Sequence, residues 1–91
     1  MKTKNLYTIE MPVVFDLETD AIRKCLVTFE MESQMPNNAN YETVIHEVND
    51  FKNGIIFYED DFEEECLAEI KEYCYAWINE NYPHELGKGE L

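Results

Sequence analysis

Between Leu6 and Glu18 the chain alternates. Tyr7, Ile9, Met11, Val13, Phe15 and Leu17 share one parity, and Thr8, Glu10, Pro12, Val14, Asp16 and Glu18 share the other. A period of two sustained over this length predicts a strand with one buried face. Pro12 has no N–H to give to a ladder, which puts the strand at an edge or bends it there. Glu18-Thr19-Asp20-Ala21 is polar and short enough for a hairpin turn. The alternation resumes over residues 22–32, with Cys25, Val27, Phe29 and Met31 on the inner side. The two segments read as an antiparallel hairpin.

Residues 33–40, SQMPNNAN, have the composition of a loop. From Tyr41 to Phe51 the period changes, because Tyr41, Val44, Ile45, Val48 and Phe51 fall at helical spacing. A strand reading would mix Thr43, Glu47 and Asn49 with Tyr41, Ile45 and Phe51 on one face. The spacing predicts a helix, capped by Asn40 and ended by Asn53-Gly54. If it is a strand instead, Asn53-Gly54 becomes a hairpin turn. Ile55-Ile56-Phe57-Tyr58 has the β-branched and aromatic content of a short buried strand. Asp61, with Glu64 three residues on, opens a long helix in the manner of a capping box. Its apolar face is Phe62, Cys66, Ile70, Tyr73, Cys74 and Trp77, running to about residue 81. Pro83 ends it, and residues 84–91 read as a flexible polar tail.

These elements predict one α+β domain spanning residues 1–91, in the order ββαβα: an antiparallel hairpin plus a short strand, with two helices packed on one face. The alternative is a βββ or ββββ sheet with one long C-terminal helix.

Charge changes the picture most. Seven Lys and Arg stand against 20 Asp and Glu in 91 residues, a net charge of −13. Nucleic-acid binding depends on Lys and Arg at the phosphates, so direct contact with nucleic acid is excluded as the leading function. With 45% hydrophobic residues the chain is nevertheless too apolar to stay unfolded. Over half of the excess lies between Glu59 and Glu72, where eight acids accompany a single Lys71. On a helix, Asp61, Glu65, Glu69 and Glu72 cluster within roughly 80° of arc, opposite the apolar face. Successive carboxylates would stand about 5–6 Å apart, a spacing comparable to that of phosphates along one nucleic-acid strand. Glu59, Asp60, Glu63 and Glu64 flank this row. An excess this large goes beyond the ~2–8 charges that keep a small domain soluble, and it costs self-repulsion.

Catalytic chemistry finds little footing. Cys25, Cys66 and Cys74 are an odd number without C-x-x-C or Cys/His spacing, so reduced, buried thiols are expected and no zinc site. The run from Asp60 to Glu65 lacks EF-hand periodicity, Gly54 stands alone, and His46 and His84 have no nucleophile at a recognisable spacing. Val13-Val14-Phe15-Asp16-Leu17-Glu18-Thr19 resembles the first motif of the DEDD-type 3′–5′ exonucleases, in which the Asp and Glu hold two divalent metals. That resemblance would make Asp16 and Glu18 metal ligands, but it covers seven residues. Asp20 stands where the family usually has Gly, His46-Glu47-Val48-Asn49-Asp50-Phe51 does not reproduce the second motif, and no third motif follows. The expectation is a protein that is not an enzyme and carries no cofactor or metal.

In size, acidity and lack of catalytic residues the chain resembles bacteriophage anti-defence proteins, including anti-CRISPR and anti-restriction DNA mimics. The likeness is one of composition alone; it is the charge row that predicts a cytoplasmic inhibitor occupying the basic, nucleic-acid-binding surface of a partner protein, with Asp61, Glu65, Glu69 and Glu72 in contact and Glu59, Asp60, Glu63 and Glu64 in support. An immunity protein or antitoxin against a basic toxin is the nearest alternative. A third is a structural or regulatory subunit, possible as a homodimer, that assembles through a helix face or through the edge strand at residues 6–18. No apolar run approaches a membrane span, and residues 1–20 lack the basic head and apolar block of a signal peptide.

Overall fold

Four antiparallel strands lie in chain order in one sheet: β1 (Tyr7–Asp16), β2 (Ala21–Ser33), β3 (Tyr41–Asp50) and β4 (Ile55–Phe57). A 3-10 turn at Glu59–Asp61 leads into α1 (Glu64–Asn81), the one α-helix among the described residues. The computed structural model describes residues 6–19, 21–33 and 41–83. Of the loop expected at 33–40, Ser33 instead ends β2 and residues 34–40 lie outside them, as do the Asn40 cap, Asp20, His84 and the 84–91 tail. The fold is α+β, a four-stranded sheet with one C-terminal helix, in place of the ββαβα order.

The expected hairpin is present, with register running from Tyr7 opposite Phe29 to Asp16 opposite Ala21. Ile9, Met11, Val13, Cys25, Val27 and Phe29 point to the core as the alternation requires. The segment expected to be a helix is instead β3. Glu47 pairs with Thr28 and Ile45 with Phe29, leaving His46 as an extra, unopposed residue. This bulge shifts the phase of the strand. Thr43 and Ile45 face inward before it, and Val48 and Asp50 after it. The three-residue step from Ile45 to Val48, which imitates a helix in the sequence, is this phase shift. Asn53-Gly54 accordingly forms a hairpin turn rather than a helix end. Gly54 takes φ +69°, and its N–H donates to the Asp50 carbonyl at 2.8 Å.

The strand at β4 is not buried. It is a sheet edge, with Ile55 and Ile56 each 45% exposed. The long helix also begins later than expected. The Asp61 carboxylate accepts the Tyr58 N–H at 2.8 Å and closes the 3-10 turn, so it does not cap α1, which starts three residues on behind Glu63. Cys66, Ile70, Cys74 and Ile78 form the buried face of α1. Tyr73, 42% exposed, and Phe62, which precedes the helix, do not belong to it.

Ile70, Cys74 and Ile78 pack with the inward residues of β1, β2 and β3 into one core. Phe15, Phe57 and Phe62 close one end of it, with ring centroids 5.0–5.9 Å apart. Tyr7, Phe29, Trp77 and Tyr82 cluster at the other. Among the described residues, no helix is long and apolar enough to cross a membrane.

Candidate acidic interaction face

With Cys66, Ile70, Cys74 and Ile78 turned to the sheet, helical geometry turns Glu65, Glu69 and Glu72 outward, within an arc of about 60°. All three are exposed, and none has an ion pair or hydrogen bond to its side chain among the described residues. They span about 10 Å of helix at 1.5 Å per residue. Lys71 is the one cation in this segment, and it lies on the opposite flank of α1. There its Nζ is 3.6 Å from Glu42 and 3.7 Å from Glu59, beside β3. The outward row therefore has no counter-charge on its own face of the helix.

The other acids singled out in the sequence divide by what they touch. Glu59 turns inward, where its Oε2 accepts the Ile45 N–H at 2.9 Å beyond the end of the short β4 pairing. It satisfies an edge donor of β3 that would otherwise lack a partner. Asp61 is occupied by its own turn. Asp60, Glu63 and Glu64 are exposed without side-chain partners among the described residues and extend the acidic surface around the N-terminus of α1. Of the four residues expected to form the row, the structure brings together Glu65, Glu69 and Glu72 and leaves out Asp61.

Glu69 and Tyr73 overhang β1. With Pro12, Val14, Ile22 and Ile70 they line a shallow hollow of about 180 Å³. Ile22 is 56% exposed, so this hollow sets an apolar foothold directly beside the carboxylate row. The sequence signals for it sit on the polar parity of β1 and on a helix position read as core, which is why alternation alone did not find it.

The exonuclease-like segment folds as a strand end and a turn, in which Asp16 Oδ1 accepts the Glu18 N–H at 2.9 Å. Among the described residues, no three His, Cys, Asp or Glu side chains gather as a metal site. The three thiols are free and buried. Burial pushes Cys25 up to about 11 and Cys74 up to about 12, and it raises Cys66 with help from Glu63, Glu69 and Asp16. Thiols held neutral in this way are poor nucleophiles.

Two polar pairs of the sheet went unforeseen. Asp50, 1% exposed, accepts from Asn53 Nδ2 at 2.8 Å and from Arg23 Nη1 at 3.1 Å. Arg23 also lies over the Phe15 ring, 4.9 Å from its centroid. His46, within the segment expected to be helical, sits at the β3 bulge with Nε2 2.6 Å from Glu30 Oε1. Comparison of the chain with family models, curated proteins and solved structures gives no match.

Proposed function

We propose that this protein is a binding module that inhibits by docking the Glu65, Glu69 and Glu72 face of α1 onto a basic surface of another protein, one that otherwise holds nucleic acid. The observation that carries this reading is the direction of Lys71. Like charges at i, i+3 and i, i+4 cost a helix about 0.2–0.5 kcal/mol per pair. A lysine within the same segment could relieve that repulsion, yet it is held on the other flank by Glu42 and Glu59. The row stays unneutralised, at a spacing suited to groups that bind successive phosphates. Tyr73 and the hollow against Pro12 and Ile22 supply the apolar contact that turns electrostatic encounter into a lasting complex.

The test is affinity capture from a lysate at low and at high salt, using the wild-type chain and Glu65→Gln/Glu69→Gln/Glu72→Gln, followed by displacement of labelled nucleic acid from each protein recovered. The expected result is capture of nucleic-acid-binding proteins that weakens steeply with salt, loses about tenfold or more in the triple variant, and competes with the labelled strand. Capture indifferent to both salt and the three substitutions would remove this face from the function.

A further inference from the structure

We infer that a hollow at Ala76 on α1 takes an arginine side chain of the protein that the acidic face grips. The inference rests on the docking proposed above and adds a specific site to it. Ala76 and Glu80 continue the outward row. At about 100° per residue, Ala76 falls inside the arc of Glu65, Glu69 and Glu72, and Glu80 about 20° beyond it. The row therefore has a gap of about 12 Å between Glu72 and Glu80, with only a methyl group at its centre. Tyr73, Ala76, Trp77 and Glu80, at i, i+3, i+4 and i+7, line a hollow of about 190 Å³ there.

Its walls differ in how they are held. Trp77 is fixed by Tyr7, Phe29 and Tyr82, with ring centroids 5.6–6.3 Å from its own. Tyr73 is 42% exposed, and its side chain has no ring contact, hydrogen bond or ion pair among the described residues. Glu80 is exposed and equally without a side-chain partner among them.

Charge selects the occupant. Aromatic rings attract a cation within about 6 Å of their centroids, and a carboxylate beside them neutralises it. The helix end adds to this. The last turn of α1 has no basic residue, although the dipole places about −0.5 charge there, and Glu80 in that turn deepens the negative potential. A cation that reaches Glu80 relieves both. An apolar side chain would strip water from Glu80 without replacing its hydrogen bonds, and an acidic one would meet Glu72 and Glu80. Of the two long cations, arginine fits better. Its guanidinium is planar and weakly hydrated, stacks on rings and gives a carboxylate two parallel N–H bonds, whereas an ammonium keeps its water shell. Arginine binds phosphate in the same bidentate way, so such a residue belongs on a surface that holds nucleic acid.

Trp77 is the one tryptophan of the chain, so its emission reports on the hollow. The full chain is titrated with hexa-arginine and with hexa-lysine, peptides of equal charge, and binding is followed by this emission and by calorimetry. Hexa-arginine should bind about fivefold or more tighter and alone perturb the emission. Ala76→Leu, which fills the hollow, and Glu80→Gln should each bring the two affinities within about twofold, while thermal melts confirm that both variants fold. Glu65→Gln/Glu69→Gln/Glu72→Gln should weaken both peptides and keep the preference. Equal wild-type affinities overturn the inference, as does a preference that Ala76→Leu and Glu80→Gln leave intact. Capture of a nucleic-acid-binding protein without any arginine preference would keep the docking and remove the hollow. An arginine preference without such capture would keep the hollow as an arginine site and remove the proposed partner.

Discussion

At the scale of single residues, Asp50 shows how a charge inside the sheet ties stability to pH. The Asn53 side-chain amide, and then the Arg23 guanidinium, hold its carboxyl below the usual 3.8, against the opposing effect of burial. A group whose pKa is lower in the folded state contributes stability above its unfolded value and loses it as pH falls through the folded one. Acid unfolding should therefore steepen below about pH 4, and Asp50→Asn, although less stable at neutrality, should show a flatter slope there. Equal slopes in urea titrations across that range would remove Asp50 from the effect. The thiols act at the other end. Cys25 and Cys74 are raised from 9.0 to about 11 and about 12, chiefly by burial, so the unfolded chain ionises first as pH rises. Stability present below pH 9 should fall away above it, and Cys25→Ala should make the decline shallower. The Asp50 pair was not legible in the sequence, because it depends on a strand at 41–50 that brings residue 50 beside residue 23.

At the scale of elements, legibility followed phase. β1 and β2 keep one alternation for most of their length, and the hairpin could be read directly. β3 does not, because the bulge at His46 sets the inward-facing Ile45 and Val48 three positions apart, and that step is also the signature of a helix. The start of α1 was misplaced for a different reason: an acid before a helix can cap either the helix or the turn ahead of it, and Asp61 does the second. The same ambiguity separates the acids of the candidate face into two kinds with opposite expected effects. Glu59→Ala strands the buried Ile45 N–H and should destabilise by about 1–3 kcal/mol. Glu69→Gln removes two like-charge neighbours, Glu65 and Glu72, and should stabilise by about 0.4–1 kcal/mol. Denaturant melts of the two variants decide the division. A destabilised Glu69→Gln would mean that its carboxylate holds the fold, not a partner.

At the scale of the whole molecule, excess charge makes salt act in opposite directions on folding and on binding. With a net −13 the native state compresses like charges that the unfolded chain spreads out, so screening should raise the melting temperature as salt increases. The same screening should weaken a complex built on Glu65, Glu69 and Glu72, because exposed pairs facing a basic surface lose their attraction over a Debye length. A row that served only solubility would share the first response and lack the second. Melting temperature and partner affinity measured over one salt series therefore separate these roles without any substitution. Opposed trends support a protein whose folded stability is reduced by the charge that its partner neutralises. In that case partner binding should raise the melting temperature most at low salt, where unrelieved repulsion is greatest. A stabilisation independent of salt would place the contact on an uncharged part of the surface.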